Sequence, residues 1–294
     1  MKRRTFLGVT VAAVVPWVSG CAEPSAVLTM DEVSDGEIAT RASRDVSGHP
    51  EVRGIVAEAV GEGSATTTGR RPPMDGEDPV AFEGKFYDLT VTETDQWEAP
   101  QYDIEVDYDG EEPADTPVDY EDLSALDRQT ADRLLPPPED HPDDEGYDFG
   151  VSRVYSDGEA EASVFVPEPE YDAVVYEGTT YPIRVEGPRT VTVSEYRYEA
   201  DLLAEDAATF GASVREEYLF ELSGLSADER DVVSEAIDEG YYEGETTEAF
   251  ESLVDRFRAN DAVESDEWGG EWITRYDDTV YWSDLRHPQR TTGK

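Results

Sequence analysis

The sequence predicts an α+β chain made of three diverged helix-plus-β-hairpin repeats packed together, and three observations predict it. Val80 to Val91 aligns without a gap on Val174 to Val185, and Thr274 to Leu285 is a third, more diverged copy, so that the aromatics Phe82, Tyr176 and Tyr276 recur at even intervals. Helical segments recur as well: Val56-Ala57-Glu58-Ala59-Val60-Gly61-Glu62-Gly63 resembles Val233 to Gly240, and Leu123 to Arg128 resembles Leu225 to Arg230. The third observation is compositional. The chain holds 16 Tyr, 9 Phe and 5 Trp in patterned segments, enough large apolar side chains to fill several small cores.

Charge sets the class of partner. Seventy Asp and Glu stand against 23 Lys and Arg, a formal charge of −47 in 294 residues. Such a field repels phosphate backbones and anionic headgroups, which excludes nucleic acid as a partner and argues against electrostatic membrane docking. One cysteine excludes a disulfide framework and any zinc site of several thiolates. Lysine occurs only at Lys2, Lys85 and Lys294, the other basic residues being Arg. This acidic, lysine-poor composition resembles the proteins of extreme halophiles, whose repulsion is screened in multimolar salt.

Residues 1–20 read as an export signal. Lys2, Arg3 and Arg4 form a positive start, and the apolar run from Phe6 to Val18 is too short for a span, which needs about 20 residues. Arg3-Arg4-Thr5-Phe6-Leu7 resembles the core of a twin-arginine signal, and Val18-Ser19-Gly20-Cys21 resembles a lipobox. The chain is thus similar to haloarchaeal twin-arginine-exported lipoproteins. That resemblance implies a protein that crosses the membrane folded, is cut before Cys21 and carries lipid there. Residues 21–30 then read as the lipidated Cys21 and a short linker, beginning Glu23-Pro24-Ser25.

Three units follow, at 31–117, 118–219 and 220–294. In each, an apolar strand meets an acidic turn, Glu83-Gly84, Glu177-Gly178 or Asp277-Asp278, and a second strand leaves with Tyr87, Leu89 and Val91, or Tyr181, Ile183 and Val185, on one face. The third copy, with no glycine at the turn and Ser283 facing inward, should be the least regular. Gly63 and Gly240 sit where helix C-caps belong, and Ser124 and Ser226, each with an acid three residues on, form capping boxes. In the second unit Pro136 stops a helix, and Val151 to Val166 reads as a hairpin around Asp157-Gly158. In the third, Phe250, Leu253, Val254 and Phe257 mark one face of a helix. Tyr102 to Tyr108 and Thr190 to Tyr198 read as further strands. The helix-then-hairpin pattern is similar to modules of haloarchaeal secreted proteins, a resemblance that implies no activity.

Catalytic chemistry is sparse in the sequence. No Gly-x-Ser-x-Gly elbow and no glycine-rich phosphate loop occurs, and His49, His141 and His287 each precede a proline. Asp107-Tyr108-Asp109-Gly110 imitates part of a calcium loop but lacks its closing Glu, Thr116 standing there. No catalytic set, metal site or cofactor is therefore expected. Glu83, Glu177 and Asp277 are the acids repeated at one motif position, and with Tyr87, Tyr181 and Tyr281 they are the candidate ligand or ion contacts. A solvated turn and a core-facing strand explain the same six residues. Trp268, Trp272 and Trp282 cluster near the C-terminus, as at a sugar or protein contact or in a small core. The expectation is a surface lipoprotein on the outer face of the cytoplasmic membrane, a non-enzymatic module that binds an envelope or secreted protein. The alternative is a carboxylate-dependent hydrolase or carbohydrate-binding protein.

Overall fold

The structure, a computed structural model, describes residues 24, 26–108, 114–136 and 148–287. In chain order the elements are β1 (Ala26–Glu32), α1 (Asp35–Arg41), β2 (Arg44–Asp45), α2 (Pro50–Glu62), β3 (Ala65–Gly69), β4 (Val80–Phe82), β5 (Lys85–Asp107) and β6 (Pro117–Asp119). A single 3-10 turn (Tyr120–Asp122) leads to α3 (Ala125–Ala131), β7 (Asp148–Val154), α4 (Asp157–Ala162), β8 (Ala173–Tyr176) and β9 (Thr179–Ala204). Then come α5 (Ala207–Tyr218), β10 (Leu219–Glu221), α6 (Ala227–Asp238), β11 (Tyr241–Glu243), α7 (Glu248–Arg258), β12 (Glu264–Ser265), β13 (Gly269–Tyr276) and β14 (Thr279–Arg286). Helices and sheets are thus mixed. The described residues form two compact units, one that runs up to Arg44 and resumes at Ala204, and one from Asp45 to Leu203. The sequential units 31–117, 118–219 and 220–294 do not coincide with them, because β1 is built into the sheet of the last hairpin.

In the first unit the strands run β10-β13-β14-β1-β11, with β12 beside β13. Strand β1 corrects the expected linker. Its alternation buries Ala26, Leu28 and Met30 at 0%, 0% and 2% exposure, a period of two that outweighs the loop-like Glu-Pro-Ser before it. On that face the sheet packs against α6 and α7 through Val232, Val233, Phe250, Leu253, Val254 and Phe257, so the four residues that mark α7 are all buried. Ile273 and Trp282 are buried on the opposite face, where Arg41 of α1 lies over the Trp282 ring at 5.8 Å. Helices α1 and α5 pack together on this side, and neither was expected from periodicity. Ser34 and Glu37 cap α1 reciprocally, a pattern legible as Ser-x-x-Glu. The β13–β14 hairpin pairs over eight residues without a break, so the third copy is the longest and most regular, not the least. Aspartate at both turn positions is accommodated at φ 46° and 64°.

In the second unit β5 and β9 are neighbours, and each is one continuous strand where two had been expected. The β4–β5 hairpin places Tyr87 and Leu89 in a core with Val56, Ala59 and Phe82; β9 ends in that core with Tyr196 and Tyr198, pairing with β3. The β8–β9 hairpin places Val174, Tyr181 and Ile183 in a second core, and β5 ends there with Tyr102, Ile104 and Val106, pairing with β7. Each hairpin therefore sends its long strand into the other's core. Segment 151–166 is not a hairpin. Strand β7 is followed by α4, because Ser156 and Glu159 form a capping box that starts a helix at Asp157 where a turn had been read. Gly63 ends α2 at φ 88° and Gly240 follows α6 at φ 83°, as their positions predict.

Candidate functional site

Three turns carry the repeated acids, and their backbone explains them. Glu83 (φ 51°) precedes Gly84 (φ 80°), Glu177 (φ 47°) precedes Gly178 (φ 84°), and Asp277 (φ 46°) precedes Asp278 (φ 64°). With Phe82 paired to Lys85, Tyr176 to Thr179 and Tyr276 to Thr279, all are two-residue hairpins with two left-handed residues, whose twist matches that of the strands. All three acids are exposed, each at its own turn. Their tyrosines follow strand parity: Tyr87 is buried, Tyr181 packs against the second core of its unit, and Tyr281 packs against the helical core of the other. Cys21, Arg3, Arg4, His141 and the Asp109-Gly110 part of the calcium-like loop lie outside the described residues.

The site with the most chemical variety lies in the first unit, and the sequence reading did not assemble it. An open cavity of about 460 Å³ is lined by Glu264, Ser265, Asp266, Trp268, Gly269, Gly270, Glu271, Asp284 and Arg286. Asp266 builds its rim by accepting from the backbone N–H of Trp268 at 2.7 Å and of Gly269 at 2.9 Å. The turn leaves Trp268 51% exposed, whereas Trp272 and Trp282 are buried at 3% and 2%. Gly269 and Gly270 form the floor. A Cβ on Gly269 would meet the Leu285 carbonyl oxygen at 2.0 Å, and one on Gly270 the Glu264 carbonyl oxygen at 2.7 Å.

Electrostatics distinguish one wall of this cavity. Glu264 lies opposite Glu271 on β12 and β13, and Glu271 lies opposite Asp284 on β13 and β14, so three carboxylates share one rung. Burial, then repulsion from Asp284 and Glu264, raises the Glu271 carboxyl above the ordinary range. A hydrogen bond from Trp282 and the charge of Arg41 offset part of this, and Arg286 pairs with Asp284 at 3.5 Å. An indole, a carboxyl and a guanidinium can together stack on and hydrogen-bond a polar ligand. Among the described residues, no group of three His, Cys, Asp or Glu side chains is arranged to hold a metal ion. A second open cavity, about 360 Å³, lies at the last hairpin turn between Asp277, Asp278, Glu221, Tyr276 and Arg230. The signal for the first cavity was the run Asp266-Glu267-Trp268-Gly269-Gly270, in which an Asx turn and two glycines mark a close backbone approach. Compared with protein-family models, with curated proteins and with solved structures, the chain matches none.

Proposed function

We propose that the protein is a membrane-anchored surface lipoprotein, exported through Arg3 and Arg4 and held by lipid on Cys21, whose folded part is a non-enzymatic protein-interaction module. Trp97 carries this reading. It is 40% exposed in β5, within residues 92–98, every one of which is exposed. Its surroundings are nevertheless pinned, since Thr94 Oγ1 donates to Glu195 Oε1 at 2.7 Å and Gln96 Nε2 to Glu93 Oε1 at 3.2 Å. An uncovered tryptophan on an ordered ribbon loses little entropy on binding, and tryptophan leads the residue types that dominate interfaces. The turn role of Glu83, Glu177 and Asp277 supports the same reading, for the left-handed hairpin positions account for the repeated acids without a ligand.

A second reading has one observation in its favour. The cavity beside Trp268, with the Glu271 carboxyl raised by burial and by Asp284 and Glu264, suits a carbohydrate ligand. The two separate by experiment. A photo-reactive residue in place of Trp97, irradiated in native envelopes, should give one discrete protein adduct, and the same residue in place of exposed Glu58 on α2 should give none. No adduct at 97, together with a saturable change in Trp268 fluorescence on adding polysaccharide, would move the conclusion to the second reading.

A further inference from the structure

We infer that the first unit rests on the bilayer surface through the sheet end that carries Trp268 and Tyr242, an inference that depends on lipid at Cys21 as proposed above. Only four residues, Ala22 to Ser25, separate Cys21 from β1. Fully extended, that stretch spans about 17 Å from Cys21 to Ala26 at ~3.3–3.6 Å per residue. The entry point of β1 is therefore held near the headgroups. Strand β1 is also internal to its sheet, between β14 and β11, so the tether draws down a sheet end and not a loose edge.

Strand register states which residues share that level. Val27 pairs with Arg286 on one side and with Tyr242 on the other, and Arg286 pairs with Gly269. The backbone N–H of His287 donates to the Trp268 carbonyl at 2.8 Å, which fixes Trp268 beside the same rung. Trp268 and Tyr242 are 51% and 55% exposed, and among the described residues they are the two large hydrophobic side chains that this unit exposes. Trp268 lies at the end tied to Cys21, and Tyr242 joins it by backbone register with its exposed ring turned back over Gly240. The opposite end of the sheet closes with Asp277 and Asp278, about 25 Å away for eight residues of strand.

Tryptophan and tyrosine suit this depth, since each buries an apolar ring while its N–H or O–H stays hydrated. Arg286, with its side chain 69% exposed, is the cation that can reach phosphate or other headgroup oxygens. The nearby acids Glu243, Asp266 and Glu267 oppose an anionic surface at low ionic strength, and salt screens that repulsion. The occupant is thus the interface of the bilayer that holds the anchor, engaged best at high salt.

The test uses the anchored chain in phosphatidylcholine vesicles that carry bromine on their acyl chains, at roughly 2 M KCl where screening is short. Brominated vesicles should quench part of the tryptophan emission relative to plain ones, and Trp268→Phe should abolish that part while the protein still sediments with the vesicles. Amide exchange around 242 and 268 should slow on vesicles and recover in a Trp268→Ser/Tyr242→Ser double variant. Equal emission in both vesicle types, with the protein still sedimenting, overturns the inference and leaves the anchor standing. Cross-linking between two copies at position 268 overturns it in favour of a self-association face. A chain that does not sediment at all, and whose Cys21→Ser variant partitions identically in cells, overturns the anchor and this inference together.

Discussion

Arg215 on α5 holds Asp35 on α1, Nε to Oδ1 at 2.6 Å, and one turn earlier on α5 Gly211 lies directly against the Asp35 carbonyl. The pair joins two helices far apart in sequence on the face of the sheet that bears Trp282. The hydrogen bond from Arg215 lowers the Asp35 carboxyl below the ordinary range against a small opposing effect of burial. A Cβ at Gly211 would stand 1.7 Å from that carbonyl oxygen. The contact is backbone on one side, so no rotamer relieves it. Gly211→Ala should cost about 1–3 kcal/mol, as overpacked cores do, whereas Arg215→Lys, with the pair partly exposed, should cost under about 1 kcal/mol. Denaturant melts of the two variants check the order.

Glu229 should govern the acid limb of stability. It is 4% exposed, caps α6 with Ser226, and accepts from Ser252 Oγ at 2.8 Å and Arg256 Nε at 2.9 Å on α7. Burial alone would raise its carboxyl; the hydrogen bonds from Ser226, Ser252 and Arg256 outweigh it and lower the value from 4.5 to about 2. A folded value below the unfolded one stabilises above the unfolded pKa, and that stability is lost as pH falls from about 4.5 toward 2. The amount is about 3 kcal/mol. Glu229→Gln should flatten this part of the pH–stability curve, as melts between those limits would show.

Glu271 should behave in the opposite sense. Its carboxyl is raised, first by burial and then by Asp284 and Glu264, so ionising it destabilises the fold as pH rises through the folded value. Glu271→Gln should therefore stabilise at neutral pH by a few tenths to about 1 kcal/mol, the scale of like charges facing across strands. The gain should vanish once Glu271 itself is protonated. A variant that loses stability at neutral pH would show that the charged form is the favoured one.

Turn chemistry predicts gains at the hairpins. Asp278 occupies at φ 64° the place that Gly84 and Gly178 take at 80° and 84°, so Asp278→Gly should stabilise by about 0.5–1 kcal/mol. Glu83→Asn and Glu177→Asn should each add a few tenths of that order, since Asn tolerates the left-handed region better. Thermal melts read both. A loss at these positions would mean that the acidic side chains make contacts beyond the turn.

Salt should decide whether the chain stays folded. The formal charge of −47 and the Glu264–Glu271–Asp284 rung place repulsion both over the surface and inside one sheet. Screening shortens from about 10 Å at 0.1 M to about 3 Å at 1 M. The melting temperature should rise steeply with KCl, and calorimetry across that range tests it.

Local features were the legible part of the sequence. The Glu-Gly turns, the capping box of Ser226, the C-terminal glycines and the buried face of α7 follow from near-neighbour chemistry, and the structure has them, while Ser124 caps α3 through its side chain alone and Asp127 does not return the bond to its backbone. Long-range pairing was not legible. Nothing between residues 85 and 107 announces that the two halves of β5 serve different cores, because periodicity reports which face is buried and not against what. Strand β1 was hidden by its flanks, although Ala26, Leu28 and Met30 alternate correctly. The cavity at Trp268 was missed for a related reason: Glu264, Glu271 and Asp284 meet only through strand register, which sequence spacing does not encode.

The place of β1 bears on how the chain is made. Both strands that flank it, β11 and β14, emerge from the ribosome long after it does. Until then Ala26, Leu28 and Met30 belong to a bare strand with no sheet to join. A chain that stops early leaves that strand permanently unpaired and open to proteases. The first unit thus closes only once β14 has been made, and β1 waits through the synthesis of everything between them.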